Sequence, residues 1–318
     1  MSYRIAVVGS GAIGSYYGGK LAAAGGDVHF LMRGNLSAIR EQGLHIVGQE
    51  EDVHVAPISC YNSTAEIGPC DLVLIGVKTT SNADVPELVR PLLHERSALL
   101  TLQNGLGNEE FLAGHFGADR VMGGLCFICL TRRSKTTVER ADYGHASIGE
   151  FNRGSLGRTK EIARMFQAAG LQCNVVENLL LERWRKLVWN IPFNGLSILA
   201  GGIDTAAILR DKELHETTRA IMEEVIAAAN CCGYPLEHSA AADQIRRTET
   251  MGAYKPSTLL DFEAGRPLEI EAIWGEPLRR AKAAGAKTPR LATLYGLLKA
   301  VDRVSQNATP ASLATHLP

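Results

Sequence analysis

Apolar and polar positions in the first half of the chain alternate in short blocks. Residues 4–8 read as a buried β run, the small-residue segment 13–24 as a helix, and residues 28–32, after the Gly25-Gly26 break, as a second strand. That order predicts a parallel βαβ unit. Further strands are expected near 44–47, 53–57, 72–77, 98–102 and 121–128, with helices near 85–93 and 109–115. Strands separated by helices imply an α/β fold built on a doubly wound sheet with helices on both faces. The stretch 136–148 reads as a hairpin, two short β runs flanking Asp142-Tyr143-Gly144.

After about Val176 the β-rich runs stop and long helical patterns take over, at 179–199, 206–232, 239–250, 269–284 and 291–304. The expected organisation is a nucleotide-binding domain over 1–176, an all-helical C-terminal domain over 177–304, and a small, polar tail over 305–318 that frays. Amphipathic helices in the second domain serve its own core or a homodimer interface equally well. There is no internal repeat and no low-complexity tract.

Composition agrees with two domains: 318 residues at 46% hydrophobic content exceed one ordinary core and are too apolar for disorder. A formal net charge of -1 leaves no electrostatic footprint for nucleic acid or an acidic membrane surface. The basic pairs Arg132-Arg133 and Arg279-Arg280 are short and read as solvated faces. MSYRIAVVGSGAIG enters a strand pattern directly, without a signal-like segment, and no stretch reaches the roughly 18 uninterrupted apolar residues of a membrane helix. The expectation is a soluble cytoplasmic protein. Cys126 and Cys129 in GGLCFICL form a Cys-x-x-Cys, but no second ligand pair stands at zinc spacing and the motif does not open a helix. Both are expected to be core positions of a strand, and no metal site is expected.

Gly9-Ser10-Gly11-Ala12-Ile13-Gly14 follows the first strand and opens the first helix, the context that makes a GxGxxG specific. Gly9 permits the tight turn, Gly11 lets a pyrophosphate approach the backbone, Gly14 lets helix pack on strand, and the helix N-terminus faces the anion. This is a Rossmann-type dinucleotide site. An acidic side chain at the end of the second strand would hold the ribose hydroxyls of NAD, but that end reads Phe30-Leu-Met-Arg33-Gly-Asn35, and Asp27 stands at the wrong end. Arg33 suits a 2′-phosphate, which favours NADP. Lys78 in LIGVKTT and Asn104 in LLTLQNGLG follow later strands, on the edge where open α/β sheets bind ligands.

In RKLVWNIPFNGLS, residues Lys186, Asn190 and Asn194 lie four apart and make one polar row on an otherwise apolar helix. Such a row is either solvated surface or a site. Pro192 removes the hydrogen bond to the carbonyl of Val188 and favours a bend between the two asparagines.

These motifs, together with KPSTLLDFEAGRPLEIE over 255–271, make the chain resemble the ketopantoate reductases (2-dehydropantoate 2-reductases) from Gly9 to about Ala284. The resemblance implies a Rossmann domain followed by a helical domain, and hydride transfer from NADPH to the ketone of ketopantoate, a small 2-keto acid, on the route to pantothenate and coenzyme A. It implies Lys186 as general acid, Asn190 and Asn194 as substrate ligands, Ser257 as a contact to the substrate carboxylate, and Glu269 as the residue that orients substrate and lysine. The chemistry is coherent, because hydride attack leaves charge on oxygen and an ammonium supplies both proton and field. An N-cap role for Ser257 is compatible with this. Tyr254 stands where well-studied members place an asparagine, a departure that bears on the substrate's hydroxyl end. A D-2-hydroxyacid dehydrogenase acting on another bulky 2-keto acid is the alternative within the same chemistry, and a non-catalytic NADP sensor the alternative outside it.

Overall fold

The computed structural model describes residues 3–32, 34–48, 52–141 and 144–307, and the chain divides into two compact units, Met1–Leu179 and Leu180–Pro318. Strands of the first unit are β1 (Arg4–Val8), β2 (Asp27–Leu31), β3 (Leu44–Gly48), β4 (Val53–Val55), β5 (Ser59–Tyr61), β6 (Leu72–Ile75), β7 (Ala98–Thr101), β8 (Val121–Phe127), β9 (Leu130–Arg132), β10 (Thr137–Arg140), β11 (His145–Glu150) and β12 (Gln172–Val175). Its helices are α1 (Ala12–Ala23), α2 (Leu36–Gln42), α3 (Thr64–Ile67), α4 (Val85–Val89), α5 (Asn108–Phe116) and α6 (Gly157–Ala168).

The main sheet has the order β12-β11-β8-β7-β6-β1-β2-β5 and is parallel except where β8 meets β11. Central strands such as β6 (LVLI) and β7 (ALLT) are buried throughout, as a sheet covered on both faces requires. Chain order reverses at β1, which has β2 on one side and β6 on the other. The crevice at such a reversal, outside the carboxyl ends of the strands, is where this architecture binds ligands.

A second, four-stranded sheet has the order β4-β3-β10-β9. It corrects two expectations. The strands expected at 44–47 and 53–57 are β3 and the shorter β4, ending at Val55, and both lie outside the doubly wound sheet, while 136–148 is not a hairpin, because β10 pairs with β3 and β9 and β11 pairs with β8 and β12. Asp142 and Tyr143 of the expected turn lie outside the described residues. The cause is α1, whose sequence AIGSYYGGKLAA is small or apolar nearly all round and buries both flanks. A Cβ on Gly18 would stand 2.6 Å from Phe30 of the main sheet, and one on Gly19 would stand 2.8 Å from Ile46 of the second sheet. Cys126 is buried in β8, but Cys129 falls past the strand's end and is half-buried.

The second unit is helical: α7 (Leu179–Leu199), α8 (Thr205–Arg210), α9 (Lys212–Cys231), α10 (Ser239–Glu249), α11 (Ser257–Glu263), α12 (Glu276–Ala283) and α13 (Pro289–Asn307). The expected helix 206–232 is two, because the Asp211 side chain accepts from Leu214 N at 2.9 Å and caps a new start. The expected helix 269–284 contains a π turn, Glu271–Gly275, before α12. Residues 305–307 of the expected tail continue α13, and 308–318 lie outside the described residues. Trp184, Phe193 and Trp274, all 0% exposed, anchor the core of this unit. Among the described residues no helix is long and apolar enough to cross a membrane.

Candidate active site

The glycine loop is built as the motif requires. Gly9 has φ 102°, and a Cβ there would sit 2.3 Å from Val77 N. A Cβ on Gly14 would lie 2.1 Å from Gly9 O, so only glycine lets α1 start this close to β1. Gly11 is the opposite case, with nothing within 4 Å of its Cβ position. It caps α1 without a side-chain hydrogen bond, no acidic residue follows in the first turn, and Ala12 and Ile13 open the helix. The start of α1 therefore has open space beside Gly11, which fits a phosphate approaching its first N–H groups. Ser10 Oγ donates to Leu31 O at 2.6 Å and ties the loop to the end of β2.

Past that end lies a cavity of about 160 Å³, lined by Gly9 and Ser10, Met32 and Asn35, Val77 and Leu88 among others. Among the described residues no carboxylate lines it. Asp27 opens β2 at the far end, where it is bonded to Arg4 at 3.3 Å and His29 at 2.8 Å. Burial, then Arg4, push the His29 imidazole below its ordinary pKa, with Asp27 opposing. Arg33, the expected 2′-phosphate partner, lies outside the described residues. Asn35 was not singled out by sequence. It precedes α2 at the N-cap position but makes no capping hydrogen bond with its side chain.

Lys78, exposed, and Asn104, half-buried, follow β6 and β7. The two loops are joined by a chain of amides that sequence reading missed. Gln103 Nε2 donates to Asn82 Oδ1 at 2.7 Å, Asn82 Nδ2 to Asn108 Oδ1 at 3.1 Å, and Asn108 Nδ2 to Asn104 O at 2.9 Å. Thr101 Oγ1 donates to Gln103 Oε1 at 3.0 Å and fixes the chain's start. The available signal was the density of amides, Asn82, Gln103, Asn104 and Asn108, just past two adjacent strands.

In the second unit α7 carries the polar row as one unbroken helix through Pro192. Lys186 is half-buried, Asn190 is 8% exposed and Asn194 2%. Asn194 is engaged at both ends: its Nδ2 donates to Asn190 O at 2.9 Å, and its Oδ1 accepts from Thr258 N at 3.1 Å. The row is thus bonded to the start of α11, where Ser257 is exposed and makes no capping bond of its own. The capping acceptor is Asn194. Glu269 is 5% exposed and stands just ahead of the π turn, from which Trp274 Nε1 donates to Ile191 O at 3.0 Å. Tyr254 is half-buried with its ring 6.0 Å from that of Trp189, whose indole N–H donates to Thr248 Oγ1 at 2.9 Å.

The family profile described as ketopantoate reductase PanE/ApbA matches residues 5–153, and its C-terminal counterpart matches 178–302. A 2-dehydropantoate 2-reductase from Nostoc is 36% identical over 304 residues, covering 94% of this chain and 95% of that protein. The crystal structure of 2-dehydropantoate 2-reductase from Geobacter metallireducens is similar at a TM-score of 0.91 and 44% identity, covering 93% of this chain and 99% of that one. The enzyme of the same name from Methylococcus capsulatus gives a TM-score of 0.88 at 34% identity, over 95% of this chain and 97% of that one.

Proposed function

The chain belongs to the ketopantoate reductase family, and from that premise we propose the following division of labour in the NADPH-dependent reduction of 2-dehydropantoate to pantoate. NADPH supplies the hydride when bound. The first unit holds it, with the N–H groups of Gly11 and Ala12 on the pyrophosphate and the cavity past β2 on the phosphorylated ribose. Arg33 supplies the 2′-phosphate partner, and Lys78 and Asn104 complete the cofactor set at the carboxyl edge of the sheet.

The second unit carries the substrate groups. As hydride adds to the ketone carbon, the carbonyl oxygen takes a proton from the Lys186 ammonium, which solvent later restores. Ser257 Oγ and Asn190 donate to the substrate's oxygens. Glu269 balances the lysine's charge and keeps it protonated for the next turnover. Asn194, with each end of its amide already bonded inside the protein, contributes chiefly by fixing the α11 terminus that presents Ser257. The partner is then a small 2-keto acid and the compartment the cytoplasm; size-exclusion chromatography decides between monomer and homodimer.

The observation that carries this reading is the hydrogen bond from Thr258 N to Asn194 Oδ1, which joins the lysine-bearing helix to the serine-bearing one across 64 residues of sequence. The test is NADPH oxidation at 340 nm with 2-dehydropantoate, in the parent and in Lys186→Ala, where a loss of about 10²- to 10⁴-fold in kcat is expected. No turnover by the parent, or a variant equal to it, overturns the assignment. A panel of branched and aromatic 2-keto acids compared by kcat/KM, with Tyr254→Asn beside the parent, separates this substrate from those of a D-2-hydroxyacid dehydrogenase.

A further inference from the structure

Arg132 was expected on a solvated face. Its guanidinium instead reaches from β9 of the second sheet to the back of the glycine loop, 122 residues away in sequence. One amino group donates to Ser10 O and to the buried Ser15 Oγ and lies 3.5 Å from Gly11 O. The other donates to Lys135 O at 2.8 Å and Ser134 O at 3.4 Å, so the guanidinium is fixed from its own side as well. Burial pushes its pKa below the ordinary arginine value. Its neighbour Arg133 is exposed and paired with Glu139, as a solvated face predicts.

Each carbonyl that Arg132 holds shares a trans peptide plane with the N–H of the next residue, and in such a plane C=O and N–H point in opposite directions. Fixing Ser10 O therefore fixes the direction of the Gly11 N–H, and holding Gly11 O does the same for the Ala12 N–H. Those are the two donors at the start of α1, where the space beside Gly11 is open. Ser15 N supports the same geometry from inside the helix, donating to Gly11 O at 3.1 Å. We infer that Arg132 is a positioning residue for the cofactor, holding the loop so that its N–H groups face the pyrophosphate, and that this is one task of the second sheet. The inference rests on the dinucleotide reading of the loop.

The experiment compares Arg132→Met, which keeps the stem and removes the donors, Arg132→Lys, which keeps the charge without the fork, and Arg133→Met as a control. Binding of NADP and of adenosine 2′-monophosphate, which lacks the pyrophosphate, is titrated for each, and kinetics are run at saturating NADPH. NADP affinity is expected to fall about 10- to 100-fold in Arg132→Met, the loss of one or two hydrogen bonds to a charged group, and less in Arg132→Lys. Affinity for the monophosphate, the KM for keto acid and kcat stay within about threefold of the parent. Where Arg132→Met does not fold, Arg132→Lys carries the test. NADP affinity within twofold of the parent overturns the inference, and so do equal losses for both ligands, which report general loosening. A parent that fails to bind NADP overturns the dinucleotide reading itself.

Discussion

Replacing Asn194 by leucine keeps the side chain's bulk and deletes both of its polar ends. Two hydrogen bonds go: Asn194 Nδ2 to Asn190 O at 2.9 Å, and Thr258 N to Asn194 Oδ1 at 3.1 Å. They are unequal. The first is a supplementary side-chain bond, worth about 0.5–1.5 kcal/mol. The second serves an N–H in the first turn of α11, which has no acceptor inside the helix, on a residue only 3% exposed. Orphaning it costs about 1–3 kcal/mol, so the sum is about 1.5–4.5 kcal/mol. The three tryptophans, Trp184, Trp189 and Trp274, all fall in the unit Leu180–Pro318, and their fluorescence reports the unfolding of that unit selectively. With a urea m-value of about 1.5 kcal/mol/M, the midpoint should fall by about 1–3 M. Because Ser257 precedes Thr258, the KM for keto acid should rise in the same variant while the KM for NADPH holds. A midpoint shift below about 0.3 M at unchanged m, the size of an ordinary surface change, would refute the capping argument.

Two glycines of the loop should fail in opposite ways. Gly11→Ala points its methyl into open space, so the melting temperature should hold while the KM for NADPH rises by about tenfold or more. Gly14→Ala drives its methyl to 2.1 Å from Gly9 O and should unfold or strongly destabilise the first unit. Thermal melts paired with cofactor titration distinguish them, and similar behaviour of the two variants overturns the assignment of roles. Burial, with Cys126 adding to it, raises the Cys173 thiol from 9.0 to about 12. The unfolded thiol therefore releases its proton first, and the associated stability is complete below pH 9 and lost as pH climbs from 9 toward 12. Melts of the parent should fall more steeply over that window than melts of Cys173→Val, and native iodoacetamide labelling should spare Cys173; parallel slopes would contradict the assignment.

What sequence revealed and what it concealed divide along physical lines. β1, α1 and β2 were legible because a buried strand, a glycine loop and a small-residue helix leave different periodicities. The second sheet was not, because alternation at 44–47 and 53–57 marks a strand without naming its neighbour, and β10 reaches β3 across nearly a hundred residues. The clue was α1 itself, too apolar on its outer face for a helix covering one sheet. Arg132 was misread for a related reason, since a basic pair says nothing about which member turns inward. At the polar row, spacing brought Lys186, Asn190 and Asn194 onto one face but could not show that Asn194 spends its amide on α11. That information lies in a contact, and no local pattern contains it.

The proline in that row acquires its meaning from the same contacts. Pro192 deprives the Val188 carbonyl of its helical partner, and in isolation that would invite a kink. The helix nevertheless runs on, and ties from later sequence reach it on both sides of the proline. Before it, Ile191 O accepts from Trp274 Nε1, a fully buried indole in the π turn that follows Glu269. After it, Asn194 Oδ1 accepts from Thr258 N, beside Ser257. The helix is therefore bonded on either side of the proline, once to the segment that follows Glu269 and once to the start of α11 beside Ser257. A π turn suits that task, because its extra residue shifts the register of the side chains that follow it. A regular helix over 269–284 would turn Trp274 to a different angle relative to Glu269. The proline and the π turn thus lie on segments joined by one bond, and with the Asn194 tie three separate stretches of the chain form one bonded group.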